Sequence, residues 1–128
     1  MVKSISYLRP LSVQEHLDSG SIDRLRLAEV RVKRAYNKKQ DLKSMFGTRL
    51  NFWEIVVKEV FKPKEPLTEY LAFFVLFEDI EKNGIKEPIS IYCKENGYWQ
   101  LRNGHHRLAI ALLLGIEKIG VEYSQNEV

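Results

Sequence analysis

Two imidazoles and a guanidinium stand side by side at His105, His106 and Arg107, directly after the turn-forming pair Asn103-Gly104. An apolar run from Leu108 to Leu114 follows, and Gly115 closes it. This is the grammar of a helix start. The first N–H groups of a helix lack intrahelical partners, and the helix dipole adds partial positive charge there, so the natural ligand is an oxyanion. Gly104 permits a close approach that a Cβ would hinder. Arg107 can hold a phosphate through two parallel hydrogen bonds, a geometry that lysine does not reproduce. His105 and His106 can donate, accept or change charge near neutral pH, which makes them the candidate catalytic residues. Asn103, Gly104, His105, His106 and Arg107 together form the candidate phosphate-binding set. Consecutive helical residues point about 100° apart, so one imidazole is expected to face the ligand while the other packs on a strand or caps a carbonyl. The competing reading is structural: two histidines that cap and pack, and an arginine in a surface ion pair. No protein metal site is expected, because the histidine pair is consecutive, the third histidine is His16, and the lone Cys93 completes no zinc spacing. Neither a Walker loop nor a nucleophile elbow is present.

A second charged feature lies upstream. Nine basic residues fall between Asp23 and Arg49 against three acidic ones, in a chain whose net charge is only +3. Arg24, Arg26, Arg31, Lys33, Arg34, Lys38 and Lys39 are the candidate nucleic-acid contacts, since clustered cations are the electrostatic footprint of such binding. A solvated helix face accounts for the same cluster.

Several elements would position these residues. Pro10 interrupts any early element, and Ser12-Val13-Gln14-Glu15 matches a capping box, predicting a short helix near 12–18. Asp18 to Ser21 breaks it, with a second start signal at Ser21. Over 22–36 two periods coexist: Ile22, Leu25, Ala28, Val32 and Ala35 suit a helix, whereas Ala28, Val30 and Val32 alternate with Glu29, Arg31 and Lys33 as in a strand. Asn37 to Gln40 is polar and expected to be exposed. Residues 51–61 suit either a buried strand or a helix, and Pro63 and Pro66 bracket a loop. Leu67, Leu71, Phe74, Phe77 and Ile80 line one face of a helix that Asn83-Gly84 ends. Pro88 to Cys93 alternates, Lys94-Glu95-Asn96-Gly97 turns, and Tyr98 to Arg102 returns, a hairpin signature. A closing strand is expected over 119–123, and a frayed tail after it.

The 128 residues, 45% hydrophobic and 29% charged, suit one domain with a hydrophobic core. Without a run of about 18 apolar residues no membrane span is expected. No long apolar core follows Met1-Val2-Lys3-Ser4, so no secretory signal is expected, and with the single cysteine this leads to a cytoplasmic expectation. Cys93 reads as a small core residue on a strand.

The order Asn83-Gly84-Ile85, Pro88-Ile89-Ser90-Ile91, hairpin, Gly104-His105-His106-Arg107-Leu108-Ala109, Gly115 and Ile119 resembles the ParB/sulfiredoxin superfamily over about Leu67 to Tyr123. The resemblance implies an α+β fold, a small mixed sheet flanked by helices in a ParB/sulfiredoxin-like domain placed at 51–128; residues 1–50, which the resemblance does not cover, are expected to form a basic, mainly helical extension packed on it. It also implies a nucleoside triphosphate or diphosphate with Mg²⁺ at Gly104 to Arg107. Partition proteins of that superfamily hold CTP at the matching helix start, and sulfiredoxin has a cysteine there. The glycine-histidine-histidine-arginine spelling is that of the free-serine kinase branch. His105 in place of the cysteine argues against sulfinic-acid reduction, and His106 in place of a partition protein's arginine weakens a CTP-gated DNA clamp. For phosphoryl transfer, Glu69, Asp79 and Glu87 are the nearest carboxylates in sequence. Three functions therefore compete: a nucleotide-binding phosphotransferase or hydrolase, a DNA-associated module without catalysis, and a non-catalytic protein that binds a protein partner.

Overall fold

The hairpin signature is realised with little change. In the computed structural model, which describes residues 5–46 and 68–124, strands Ile89–Cys93 and Trp99–Asn103 pair antiparallel. Gly97 takes the turn's positive φ of 86°, and Asn96 Oδ1 accepts a 3.0 Å bond from the Tyr98 N–H. In chain order the elements are β1 (Ile5–Leu8), α1 (Pro10–His16), α2 (Ser19–Phe46), α3 (Thr68–Asn83), β2 (Ile89–Cys93), β3 (Trp99–Asn103), α4 (His105–Leu114) and β4 (Ile119–Ser124). The fold is α+β, with one mixed sheet ordered β1-β4-β2-β3. β4 runs parallel to β2 and antiparallel to β1, so the N-terminal stretch supplies an edge of the sheet. The readings made for residues 51–61, Pro63, Pro66, Leu67 and the last four residues lie outside the described residues.

The described residues divide into two units, one of 5–31 with 85–124 and one of 32–46 with 68–84. In the first, Ile89, Ile91, Leu101, Ile119 and Val121 of the sheet are buried, as are Leu108 to Ala111 of α4, Val13 of α1 and Leu25 of α2. Their alternation along each strand puts one face of the sheet into the core. β3 carries an irregularity just before α4: Ile91 faces Leu101 while Ser90 faces Asn103, leaving Arg102 as the extra residue. Such bulges re-aim the chain where a strand ends. In the second unit Phe74, Phe77 and Ile80, the helical face read from the sequence, are buried, and Tyr36 meets Phe77 edge-on at 5.7 Å.

Three local expectations are corrected. Pro10 starts α1 instead of interrupting an element, because proline at the first helical position forfeits no intrahelical bond. The strand pattern at 28–33 is not used. α2 runs unbroken for 28 residues, with Leu25, Ala28, Val32 and Ala35 buried and Val30 half-exposed, so the helical period wins. Lys39, expected in an exposed run, is 3% exposed. Its ammonium sits 2.8 Å from Glu78 and 3.4 Å from Glu81, over the Phe77 ring. Two carboxylates from α3 compensate the cost of burying that charge.

The start of α2 is fixed by Asp18. Its Oδ1 accepts from the Ser21 N–H at 2.8 Å, and its Oδ2 accepts from Lys94 Nζ at 3.1 Å. Asp18 therefore performs the capping that the sequence reading gave to Ser21. Ser21 is fully buried, and its hydroxyl oxygen accepts from the Leu101 N–H of β3 at 2.9 Å. The Asp18 N–H donates to the Trp99 carbonyl at 2.7 Å. The helix that carries Arg24 and Arg31 is thus stapled to the strand that leads into α4.

Candidate functional site

Gly104 is required by two independent constraints. Its φ of 99° and ψ of 24° lie in the left-handed region. A Cβ built on it would stand 2.6 Å from Ile89 Cγ2 and 3.2 Å from Ile89 Cα. The glycine therefore lets the start of α4 press against the start of β2. Leu108 is the first residue to close an intrahelical bond, to the Gly104 carbonyl at 2.9 Å. The N–H groups of His105, His106 and Arg107 precede that bond, and no acidic residue occupies the first turn. Asn103 is exposed at the end of β3, opposite Ser90.

Arg107 is largely buried, with 17% of its side chain exposed, and Nη1 donates to the Pro88 carbonyl at 2.9 Å. The same nitrogen lies 3.3 Å from Glu87 Oε2, a carboxylate that is 83% exposed. Nη2 and Nε stand outside these two contacts. Through Nη1 the guanidinium thus clasps the residue that precedes β2. Of the three carboxylates singled out by sequence, Glu87 is the one that reaches Arg107. Asp79 accepts instead from Asn83 on α3, and the Glu69 side chain lies outside the described residues.

Both imidazoles are held below the usual histidine pKa. Burial is the main cause for His105, with Arg24 and then His106 adding repulsion. Burial also leads for His106, followed by Arg31. Both rings are therefore neutral at pH 7, the state in which an imidazole can accept a proton. His105 Nε2 is buried without a hydrogen-bond partner among the described residues.

The two sequence features that looked separate are thus coupled electrically. Arg24 and Arg31, seven residues apart on α2, share one helix face, and each acts on one histidine of α4. The i, i+7 spacing was visible in the sequence, but nothing in it said which element that face meets. Arg26 and Lys33, two positions on from Arg24 and Arg31, point roughly 160° away from them and are exposed. Arg34 is also exposed, Lys38 is half-buried, and Lys39 is committed to Glu78 and Glu81. The seven basic candidates therefore do not form one patch. Among the described residues no group of three or more histidine, cysteine, aspartate or glutamate side chains is placed to hold a metal ion. No helix among them is long and apolar enough to cross a membrane. Compared with protein-family models, with curated proteins and with solved structures, the chain matches none.

Proposed function

We propose that the chain binds a phosphorylated ligand, a nucleoside di- or triphosphate, at the start of α4. One observation carries the reading: Arg107 stands in the first turn of α4, where burial and, after it, the charges of Arg24 on His105 and Arg31 on His106 hold both imidazoles below their usual pKa. An anion relieves this repulsion, and cationic side chains beside the first turn of a helix are what phosphate recognition needs. The resemblance to the ParB/sulfiredoxin superfamily points the same way. Mg²⁺ would arrive on the phosphates, since that ion keeps most of its waters and uses few protein ligands. A neutral His105 or His106 next to the phosphates can serve as general base for an acceptor hydroxyl or water. The test is a titration of the imidazole resonances with ATP, ADP and CTP, with and without Mg²⁺. Bound phosphate should raise the pKa of both histidines. By linkage, sulfate, whose charge is constant, should bind more tightly as pH falls below 6.5. Arg107→Lys, which keeps a charge but loses the planar fork, should weaken binding about tenfold or more. Unmoved histidine resonances at millimolar nucleotide would end this reading.

A second reading, contact with a nucleic-acid backbone, is favoured by the exposure of Arg24 and Arg31 on one face of α2. It predicts that Arg24→Ala/Arg31→Ala lowers the salt slope of DNA binding by about two, one for each phosphate left without its cation. Arg26→Ala/Lys33→Ala, on the far side of α2, should leave the slope unchanged. Equal slopes for the two double variants would remove this reading.

A further inference from the structure

We propose that the exposed face of α2 around Leu27 and Val30 docks an acidic amphipathic helix of a partner protein. The inference goes beyond the ligand at α4 and uses none of that helix's residues. α2 buries Leu25, Ala28, Val32 and Ala35 and leaves Leu27 65% and Val30 52% exposed on its other side. Leu27 and Val30 are three positions apart, so they stack one turn above the other as a short apolar seam. Helices that pair along such a seam repeat it every seven residues, and the positions flanking the seam meet the partner's flanks and set partner choice. Around Leu27 and Val30 the flanking positions are Arg24 and Arg31 on one side and Arg26 and Lys33 on the other, each pair one heptad apart. All four are exposed, and all four are cationic. Mixed signs would serve solubility equally well and would add intrahelical ion pairs. A single sign at every flanking position instead selects the charge of a partner.

The flanks and the seam together decide what fits. A second copy of α2 would set arginine against arginine or lysine in either orientation, so like-charge repulsion opposes self-pairing. A helix with Glu or Asp at its flanking positions and aliphatic residues on its seam satisfies both cationic rows and covers Leu27 and Val30. A phosphate backbone would satisfy the rows but leave the aliphatic pair between them without a contact. The next seam positions, Asp23 and Arg34, are charged and exposed, so the apolar contact spans a single heptad. That is too little apolar surface to hold a helix in a lipid interface, and it makes the complex with a partner helix a transient one.

The experiment titrates the full chain, by fluorescence anisotropy, into a labelled amphipathic peptide with leucine on its seam and glutamate at every flanking position, and into the same peptide with lysine there. Wild type should bind the glutamate peptide and ignore the lysine peptide. Leu27→Gln/Val30→Gln and Arg26→Glu/Lys33→Glu change only exposed positions and keep good helix formers, so both should fold, as circular dichroism checks. Each should weaken the glutamate peptide about tenfold or more. Equal affinity of wild type and Leu27→Gln/Val30→Gln would reduce the contact to general charge attraction and overturn the seam. A glutamate peptide that does not bind overturns the proposal outright. So does a dimer of the chain, seen by sedimentation, that Leu27→Gln/Val30→Gln dissociates, because the occupant is then a second copy. Binding to anionic lipid vesicles that is lost in the same variant overturns it too, in favour of a membrane.

Discussion

Gly104→Ala should cost about 3 kcal/mol or more of folding stability, the largest effect expected of any single methyl group in the described residues. Two penalties add. An L-residue at φ 99° is outside its comfortable range, at a cost on the order of 1–2 kcal/mol. The new Cβ would also meet Ile89 Cγ2 at 2.6 Å and the Ile89 backbone at 3.2 Å. The side-chain contact can yield by rotation, but the approach to the backbone moves only if α4 lifts from β2, and overpacking of that kind costs roughly 1–3 kcal/mol more. Urea unfolding measures the loss. A companion variant separates the two penalties: Gly104→Ala/Ile89→Ala removes the clashing side-chain atoms but keeps the φ penalty. If the overlap dominates, Ile89→Ala should cost much less in the Gly104→Ala background than alone, where it empties a buried site. A Gly104→Ala protein within 1 kcal/mol of wild type would refute the close-approach account. Because α4 must lift to accommodate the methyl, the first-turn N–H groups shift as well, and phosphate affinity should fall with stability.

This glycine also shows what could be read from sequence and what could not. Asn103-Gly104 marks a helix start through local backbone chemistry, and the same holds for Asn96-Gly97 in the hairpin and for Gly84 and Gly115 after α3 and α4. Local signals of that kind placed β2, β3, α4 and β4 correctly. The neighbour that makes Gly104 indispensable, Ile89, lies 15 positions earlier, and no local pattern names it. α2 was harder because its residues satisfied two periods at once at 28–33. The outcome depended on which residues found a core, and Val30 did not. Lys39 reads as solvent-facing in a polar run, yet its partners are Glu78 and Glu81 on another helix. At the candidate site, residue types and helix position were legible. The convergence of Arg24 on His105 and of Arg31 on His106 is tertiary information. So is the division of Arg107 between Pro88 and Glu87.

That convergence depends on how α2 is tied down, and Ser21→Ala tests the tie. The buried Leu101 N–H has the Ser21 hydroxyl as its acceptor at 2.9 Å. Alanine leaves it unsatisfied in a site that excludes water, which should cost about 2 kcal/mol. The hydroxyl also hydrogen-bonds the Asp18 carboxylate. Burial pushes the Asp18 pKa up, but bonds from the Ser21 hydroxyl and backbone N–H, with Lys94 beside it, outweigh burial and leave it below 3.8. A carboxylate depressed in this way contributes stability that is present above its unfolded pKa and is lost as pH falls through the lower folded value. Ser21→Ala removes one of the donors and moves the Asp18 pKa back toward 3.8. The stability gap between wild type and Ser21→Ala should therefore be constant above about pH 5 and narrow at pH values below 3.8. It should not close, because the orphaned Leu101 N–H does not titrate. Denaturant unfolding across that pH range reads both parts. A gap that ignores pH would detach Ser21 from Asp18, and a gap that vanishes in acid would leave the Leu101 bond without energetic weight. Loosening this staple should also free the first turns of α2, so that Arg24 bears less on His105. The His105 pKa in Ser21→Ala should then rise toward its ordinary value, which makes the staple at one end of the sheet visible in the titration of an imidazole at α4.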